Sequence, residues 1–536
     1  MSFRTNNSQQ LSFEDSFGNL TPREQLAVER SWAKIFSDEV FPAIDEELFR
    51  VLYSDLEASR PNTPINVCVG GLIIKELFGY TDDEMVENLM LDRRLQYALH
   101  TTSFLEQPLS DKTLSRFRKR CYDYEQKTGR DLIHECITAL SEKIAKLMNI
   151  NCRMKRMDSM MIESNIRVLT RLELLYTCVA KLSKYLTKHG KGNRLSERLK
   201  PYTDANDFNR IFYHQRDVSQ DTKIQTILED IDELLKICGD DFINAEVYQI
   251  FVRCVDEQTV VEDGKRRLRT AKEKAMNSSI LQNPSDPDAT FRKKAGKEHR
   301  GYVANLEESV GKNASVVTDY RYEQNIYSDS QFFKDRLEQV EVSDEPVTMV
   351  TDGGYDGDEN VELAKAKNIE LITTTLSSGV ENVKAPTADF EFSADGTEIE
   401  KCAKGYTPRA CHYNESSGQI RASFDIEQCA NCEHREACHA KIQRQSAIVT
   451  TSLNGAKRAK RLREMKTEKF NALAKFRNGV ETIVSNLRRN FHLETLPRGL
   501  LRGRFFFGFK VAALNFRKLF AFRKGLGHYA LNPLFA

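Results

Sequence analysis

Two apolar, strand-like segments that each lead into an aspartate constrain the fold of this chain more than any other feature. CRMKRMDSMMI contains Asp158, and VTMVTDGGY contains Asp352. A sheet fixes a carboxylate placed where a strand emerges, while the loop that follows leaves that carboxylate open to ligands. The alternative for each aspartate alone is an ordinary turn, and the Asp-Gly step at Asp352 is itself a turn signal. We therefore predict two strands, each ending at its aspartate.

The order of elements around these strands predicts the fold class. From residue 152 the pattern runs strand, long helical insertion (about 165–280), two strands, helix, strand, helix, strand. Without the insertion, a three-strand meander precedes alternating helices and strands. This is the element order of an RNase H-like α/β core, in which a mixed sheet is accompanied by helices.

The segment before the first strand predicts an all-helical domain over residues 1–150. Thr81 and Glu84 form a capping-box pattern at the start of one of its helices. A later helix, in PLSDKTLSRFRKR, carries Arg116 and Arg118 among its basic residues. We favour contact between this helix and DNA phosphate, and ordinary surface charge is the alternative.

A glutamate between two arginines marks a long helix near the C-terminus. Arg477 lies four residues before Glu481 and Arg488 lies seven after it, so the three side chains share one helix face within about 40°. Glu481 would then stand at the border of the apolar stripe, beside cations able to hold a phosphate. The alternative is a surface ion pair between Arg477 and Glu481, which contributes only about 0.3–0.5 kcal/mol.

The net charge of +1 conceals a strongly basic C-terminal segment. Residues 1–60 hold six basic and eleven acidic side chains, giving −5, whereas residues 451–536 hold nineteen basic and four acidic ones, giving +15. Such a segment favours a polyanionic partner, and a solvated helix face is the alternative. Arg489 and Arg502 are further candidates for phosphate contact. We expect Phe505–Phe509 to pack in the core.

Five of the twelve cysteines cluster between residues 402 and 438, in the pattern Cys-x8-Cys followed by Cys-x2-Cys-x5-Cys. Cys429 and Cys432 place two thiolates on one turn, which is the usual half of a structural zinc site, and Cys438 would be a third ligand. A set of reduced, metal-free thiols is the alternative. Spacing alone leaves these candidates open for the fourth ligand: Cys402, Cys411, His412, His434 and His439.

The sequence contains no segment that reads as a secretory signal or a membrane span. The N-terminus, MSFRTNNSQQLSFED, lacks an apolar core, and the most apolar stretch, FFFGFKVAALNF, is interrupted by Lys510. We therefore expect a cytoplasmic protein with reduced cysteines.

Taken together, these motifs resemble those of DDE transposases of bacterial insertion sequences. The segments that carry the resemblance occur in the family's order, from roughly residue 20 to 530: LSDKTLSRFRKR, MDSMMIESN, PSDPDATFRKKAGKEHRGY, VTDGGYDGDEN, the cysteine cluster and RNGVETIVSNLR. The resemblance implies an acidic triad of Asp158, Asp352 and Glu481 that holds Mg²⁺ or Mn²⁺. Two such ions, about 3.5–4 Å apart, suit phosphodiester chemistry because they stabilise the attacking and leaving oxygens.

Two details of the resemblance bear on individual residues. The family signature Y-x2-R-x3-E-x6-K is matched at Arg477 and Glu481, with Arg488 in place of the lysine and Ala474 in place of the tyrosine. The resemblance also favours Cys402 as the fourth ligand of a structural Zn²⁺.

The resemblance implies a function as well. Such a protein binds the terminal inverted repeats of its insertion sequence, on double-stranded nucleoid DNA, and catalyses metal-dependent cleavage and strand transfer as a homodimer in the DNA complex. The alternatives are a nuclease-only protein and a catalytically inactive DNA-binding protein derived from a transposase. The expected domains are a DNA-binding domain at 1–150, a catalytic core at 151–384 and 446–536, and a cysteine-rich insertion at 385–445.

Overall fold

The fold was analysed in a computed structural model, which describes residues 1–6, 17–56, 58–101, 109–110, 112–215, 217–239, 241–294, 296–374, 389–465 and 467–526. These residues form a mixed α/β fold, as the sequence predicts. The predicted boundary between residues 384 and 385 lies outside the described ranges. Among the helices in these ranges, none combines the length and apolar character that crossing a membrane requires.

Helices account for a large part of the described structure. In chain order they are α1 (Pro22–Arg30), α2 (Trp32–Ile35), α3 (Ile65–Phe78), α4 (Asp82–Leu91), α5 (Arg93–Ala98), α6 (Thr113–Thr128), α7 (Leu132–Leu147), α8 (Arg171–Lys188), α9 (Asp207–Asn209), α10 (Gln220–Cys238), α11 (Glu246–Gln258), α12 (Asp329–Gln339), α13 (Asp358–Ala366), α14 (Ile426–Ala430), α15 (Leu453–Glu464), α16 (Glu468–Asn490) and α17 (Leu500–Arg523).

The strands lie between these helices. In chain order they are β1 (Met154–Glu163), β2 (Thr259–Glu262), β3 (Lys265–Leu268), β4 (Thr290–Lys294), β5 (Lys297–Val310), β6 (Ser315–Gln324), β7 (Val347–Thr351), β8 (Ile369–Thr373), β9 (Glu391–Phe392), β10 (Ile399–Lys401), β11 (Ala410–Asn414), β12 (Gln419–Phe424), β13 (Lys441–Ile442) and β14 (Ala447–Ser452).

The chain divides into two compact units. The first contains residues 1–152, 159–328 and 484–536, and the second contains residues 153–158 and 329–483. Strand β1 and helix α16 therefore each contribute residues to both units.

Helix α17 forms the centre of the first unit. It packs against α3, α7 and β6, and its side chains from Phe507 to Phe516 are almost wholly buried. Asn515 is buried among them with its amide satisfied, because it donates to Ser141 Oγ and the Val317 carbonyl and accepts from the Val317 amide. The prediction that Phe505–Phe509 packs in the core is confirmed for Phe505, Phe507 and Phe509.

The first unit also contains the helical insertion that the sequence predicts. Helices α8, α10 and α11 enclose a separate apolar core, and the hairpin of β2 and β3 follows them. The strand meander comes next: β5 pairs antiparallel with β4 and then with β6, from Tyr302↔Gln324 to Val310↔Ser315. The N-terminal helices α1 to α7 confirm the helical prediction there, including the capping box at Thr81.

Among the described residues, the second unit contains a parallel group of strands and a four-stranded antiparallel sheet, together with the antiparallel pair of β9 and β10. In the parallel group, β1 and β8 both pair parallel with β7, and helices α12 and α13 cover an apolar core around Met157, Phe333 and Tyr355. In the four-stranded antiparallel sheet, the strand order is β11–β12–β14–β13, with a core that includes Phe390 and Phe424. The cysteine-rich segment belongs to this four-stranded sheet, which continues through β14 beyond the predicted limit at residue 445.

Candidate active site

The two aspartates lie at the same level along the neighbouring parallel strands β1 and β7, Asp158 within β1 and Asp352 just after β7. The last register pair between β1 and β7 is Arg156 with Val350, so Asp158 and Asp352 each stand two residues further along. Asp352 follows β7 directly, as predicted. Asp158 does not end its strand: β1 continues to Glu163, because Met160 and Ile162 carry apolar side chains that are buried. That part of the prediction is wrong, although the carboxylate remains only 11% exposed.

Local hydrogen bonds fix the loop that carries Asp352. The Asp352 carboxylate accepts from the Gly354 amide at 2.8 Å and begins a short 3-10 turn. Asn360, at the start of α13, donates to the Tyr355 carbonyl at 2.8 Å and to Ser330 Oγ at 3.0 Å. Both Tyr355 and Asn360 are buried. The loop is therefore anchored to the core of the second unit.

A close approach of α16 to β1 positions the third carboxylate. Arg156 donates to the Phe476 carbonyl at 2.6 Å, and its guanidinium lies 5.3 Å from the centre of the Phe476 ring. A side chain at Gly479 would collide with that guanidinium. Gly479 thus allows α16 to lie against β1, with Arg477 and Glu481 on the helix one turn apart.

Arg477 is the point on which the three carboxylates converge. Its Nη2 lies 2.7 Å from Asp158 Oδ2 and 3.9 Å from Asp352 Oδ2, and its Nη1 lies 3.9 Å from Glu481 Oε1. The Arg477 side chain is 16% exposed and that of Glu481 is 69% exposed. Three carboxylates around one guanidinium leave an excess of two negative charges, and their oxygens are the hard ligands that Mg²⁺ prefers.

The basic residues predicted to contact DNA differ in their exposure and in their contacts. Arg118 is largely buried, forms an ion pair with Asp82 and stacks on Phe506, so its contacts are those of a packing residue and do not suit the predicted DNA contact. Arg488 is exposed, and it donates to the Met161 carbonyl at 3.3 Å. Three others are exposed at the surface of their own helices: Arg116, Arg489 and Arg502.

The cysteine cluster lines one small cavity in the second unit. Its wall includes four of the five clustered thiols together with His434, namely Cys402, Cys429, Cys432 and Cys438. Cys411 is not in that wall, and its sulfur accepts the Ile399 amide at 3.4 Å. The geometry therefore supports Cys402 over Cys411 as the companion of the other three.

The electrostatics of this cavity follow from burial and from the proximity of the thiols. Burial raises the pKa of Cys438 to about 11, and the neighbouring Cys432, Cys402 and Cys429 raise it in the same direction. Burial likewise raises the pKa of Cys429. Among the described residues, no group of three or more His, Cys, Asp or Glu side chains is already arranged to hold a metal ion. The four thiols line one common cavity.

Sequence reasoning missed two residues that shape the site. Arg156 was hidden in the basic run before Asp158, and only the packing of α16 reveals its contact with Phe476. Asp329 begins α12, and a side chain at Gly354 would meet its Oδ2 at 2.7 Å and Asp352 Oδ1 at 3.0 Å. An acidic residue in the first helical turn is the ordinary sequence signal for such a position, and that signal does not distinguish a functional site from helix capping.

Comparison with protein families gives two matches. Residues 401–520 match the transposase DDE domain, and residues 25–120 match the transposase domain DUF772. Both matches are to transposase domains, and together they support a DDE transposase of an insertion sequence. The first match spans Arg477, Glu481 and the cysteine cluster, whereas Asp158 and Asp352 lie outside both. The chain matches no curated protein and no solved structure.

Proposed function

We propose that this transposase binds the terminal inverted repeats of its insertion sequence and catalyses metal-dependent DNA cleavage and strand transfer. One observation carries the proposal: Asp158, Asp352 and Glu481, from three elements far apart in sequence, converge on a single guanidinium. Asp158 lies on β1, Asp352 directly follows the parallel strand β7, and Glu481 lies on α16, which contacts β1 through Arg156. A structural role alone would not call for three carboxylates at one cation.

The arrangement of strands supports an RNase H-like core. Strand β1 is followed by the antiparallel pair β5 and β6 and then by β7 and β8, and β7 is the parallel partner of both β1 and β8. In open sheets of this kind, ligands bind at the carboxyl ends of the parallel strands. Asp158 and Asp352 occupy that end in the pairing of β1 with β7.

The three carboxylates would hold the divalent metal, Mg²⁺ or Mn²⁺, that this family typically uses. When bound, the metal ions supply Lewis-acid stabilisation of the oxygens that attack and leave the scissile phosphate. Asp158 lies within β1, and the Asn360 contacts hold the loop that carries Asp352. Glu481 is mostly exposed on α16, so it can approach the same ligand from the solvent side. Arg477 offers a planar fork of donors to the DNA phosphate.

The remaining basic residues would bind the duplex without reading its sequence. We propose that Arg116, Arg488, Arg489 and Arg502 contact phosphates of double-stranded DNA, since their side chains are exposed and such contacts position a protein on DNA. The N-terminal helical domain would recognise the repeats. Bringing two element ends together would require a homodimer in the DNA complex.

A structural Zn²⁺ is a second, independent part of the proposal. Cys402, Cys429, Cys432 and Cys438 line one cavity, and four thiolates form a closed tetrahedral site with no open position for catalysis. The ion would tie β10 to α14 and the loop that follows it. Its role would be to stabilise the four-stranded antiparallel sheet.

The proposal is tested with a plasmid that carries the gene and its flanking DNA. We expect the purified transposase to cut at both ends of the element with Mg²⁺ and to join those ends to a target plasmid. DNA binding without cutting would support the alternative of an inactive DNA-binding protein. Cutting without joining under the same conditions would support the alternative of a nuclease.

A further inference from the structure

We propose that Arg477 acts as an internal cation in the metal-free site: it holds the carboxylates until a divalent ion binds, and it then exchanges them for DNA phosphate. The inference rests on the proposed function, because it assumes that these carboxylates bind metal. Beyond that function, Arg477 and the metal ion compete for the same carboxylates. DNA shifts this competition toward the metal ion by accepting Arg477.

The contacts of Arg477 are those expected of a cation that takes the place of a divalent metal ion. Both terminal nitrogens are directed at carboxylate oxygens, with the closest approach, 2.7 Å, to Asp158. Its Nε is buried and has no hydrogen-bond partner among the described residues. An arginine selected only to anchor a fold would be expected to have its buried donors satisfied. This guanidinium is held by ion pairs and by its hydrogen bond to Asp158, while its Nε donor has no partner among the described residues.

Charge explains why the two cations exclude each other. Three carboxylates lie within 3.9 Å of the terminal nitrogens of one guanidinium. Neighbouring carboxylates repel one another, and a positive group among them relieves that repulsion. A divalent ion bound to Asp158 and Asp352 would stand close to the guanidinium and would be repelled by it. Metal binding therefore requires that the contact between Arg477 and Asp158 break.

The released side chain has an obvious acceptor in the substrate. A guanidinium presents five N–H donors in a fixed fork that matches phosphate oxygens. DNA that accepts this fork would lower the cost of moving Arg477 and so would favour metal binding. By thermodynamic linkage, metal would favour DNA binding by the same factor. A site of this kind has low metal affinity until its substrate arrives.

The test measures Mn²⁺ affinity of the full chain in the absence of DNA, by titration calorimetry and by electron paramagnetic resonance of free Mn²⁺. We expect Arg477→Gln to bind Mn²⁺ roughly tenfold more tightly than the wild type, because one repelling charge beside the ion is gone. The matched control is Lys475→Gln. It removes the same charge from an exposed position on the same helix, and it should change affinity by less than about twofold.

A second variant guards against a folding defect in the first. Arg477→Lys keeps the positive charge as a compact ammonium that cannot span several carboxylates, and its Mn²⁺ affinity should lie between those of the wild type and Arg477→Gln. Affinity equal to or weaker than that of the wild type in both variants would overturn the exchange while leaving the proposed catalytic site in place. Absence of Mn²⁺ binding in the wild type and in both variants would instead remove the metal site on which the inference rests.

Discussion

The contact between Arg156 and α16 predicts that Gly479→Ala destabilises the docking of this helix when Arg156 is present. The same substitution should stabilise the helix when Arg156 is absent. Replacing Gly479 by alanine adds a methyl group where the Arg156 guanidinium lies. The guanidinium must move, and it then loses its 2.6 Å hydrogen bond to the Phe476 carbonyl and its position over the Phe476 ring. Hydrogen bonds from charged donors contribute about 1.5–3 kcal/mol, and a cation–π contact contributes about 0.5–1 kcal/mol.

Helix propensity opposes this loss. Alanine is favoured over glycine inside a helix by about 1 kcal/mol, so Gly479→Ala should destabilise the docking of α16 by about 1–3 kcal/mol in the wild-type background. In an Arg156→Ala background no guanidinium stands in the way. There the same substitution should stabilise α16 by about 1 kcal/mol, and the double-mutant cycle isolates the contact.

Hydrogen exchange followed by mass spectrometry is the appropriate assay. A chain with two compact units need not unfold in one step, whereas exchange reports the local opening free energy of the peptides that cover α16. We expect faster exchange there in Gly479→Ala and slower exchange in the double variant than in Arg156→Ala alone. Slower exchange in both backgrounds would refute the proposed role of the close approach.

Three further predictions concern other parts of the molecule. Arg116→Ala should weaken DNA binding and reduce its salt slope by about 1, whereas Arg118→Ala should lower the melting temperature, as measured by calorimetry. Metal analysis should find one Zn²⁺ per chain, and Cys429→Ser with Cys432→Ser should abolish it; metal-free native protein would contradict this. Burial raises the pKa of Glu125 from 4.5 to about 7. The free energy of unfolding should therefore fall as pH rises from about 4.5 to about 7. Glu125→Gln should reduce that pH dependence, as measured by melting curves at a series of pH values.

The sequence was most informative where a single element determines the outcome. The strand before Asp352, the helix that carries Glu481 and the capping box at Thr81 all follow from local periodicity and capping chemistry, and the structure contains each of them. The mixed α/β class followed from the order of these elements. The hairpin of β2 and β3 was missed because four-residue strands carry little periodic signal.

Contacts between distant residues could not be predicted in the same way. Spacing pairs Arg477 with Glu481, but its nearest carboxylate is Asp158, which lies 319 positions away. Arg118 resembles a phosphate ligand in sequence until packing reveals Asp82 beside it. The choice between Cys402 and Cys411 depends on how β10 and β11 are placed. In each case a partner from another element decides the role of the side chain.

The most direct test of the active site compares carboxylate variants that differ only in their position. Purified wild type, Asp158→Asn, Asp352→Asn and Glu481→Gln are incubated with Mg²⁺ and DNA that carries the element ends, beside Glu359→Gln as the matched control. Glu359 is an exposed carboxylate on α13 that pairs with Lys334. We predict that cutting is lost in the three site variants with DNA binding retained, and that Glu359→Gln cuts as the wild type does. Cutting at the wild-type rate by any of the three would contradict the assignment of that residue to the metal site.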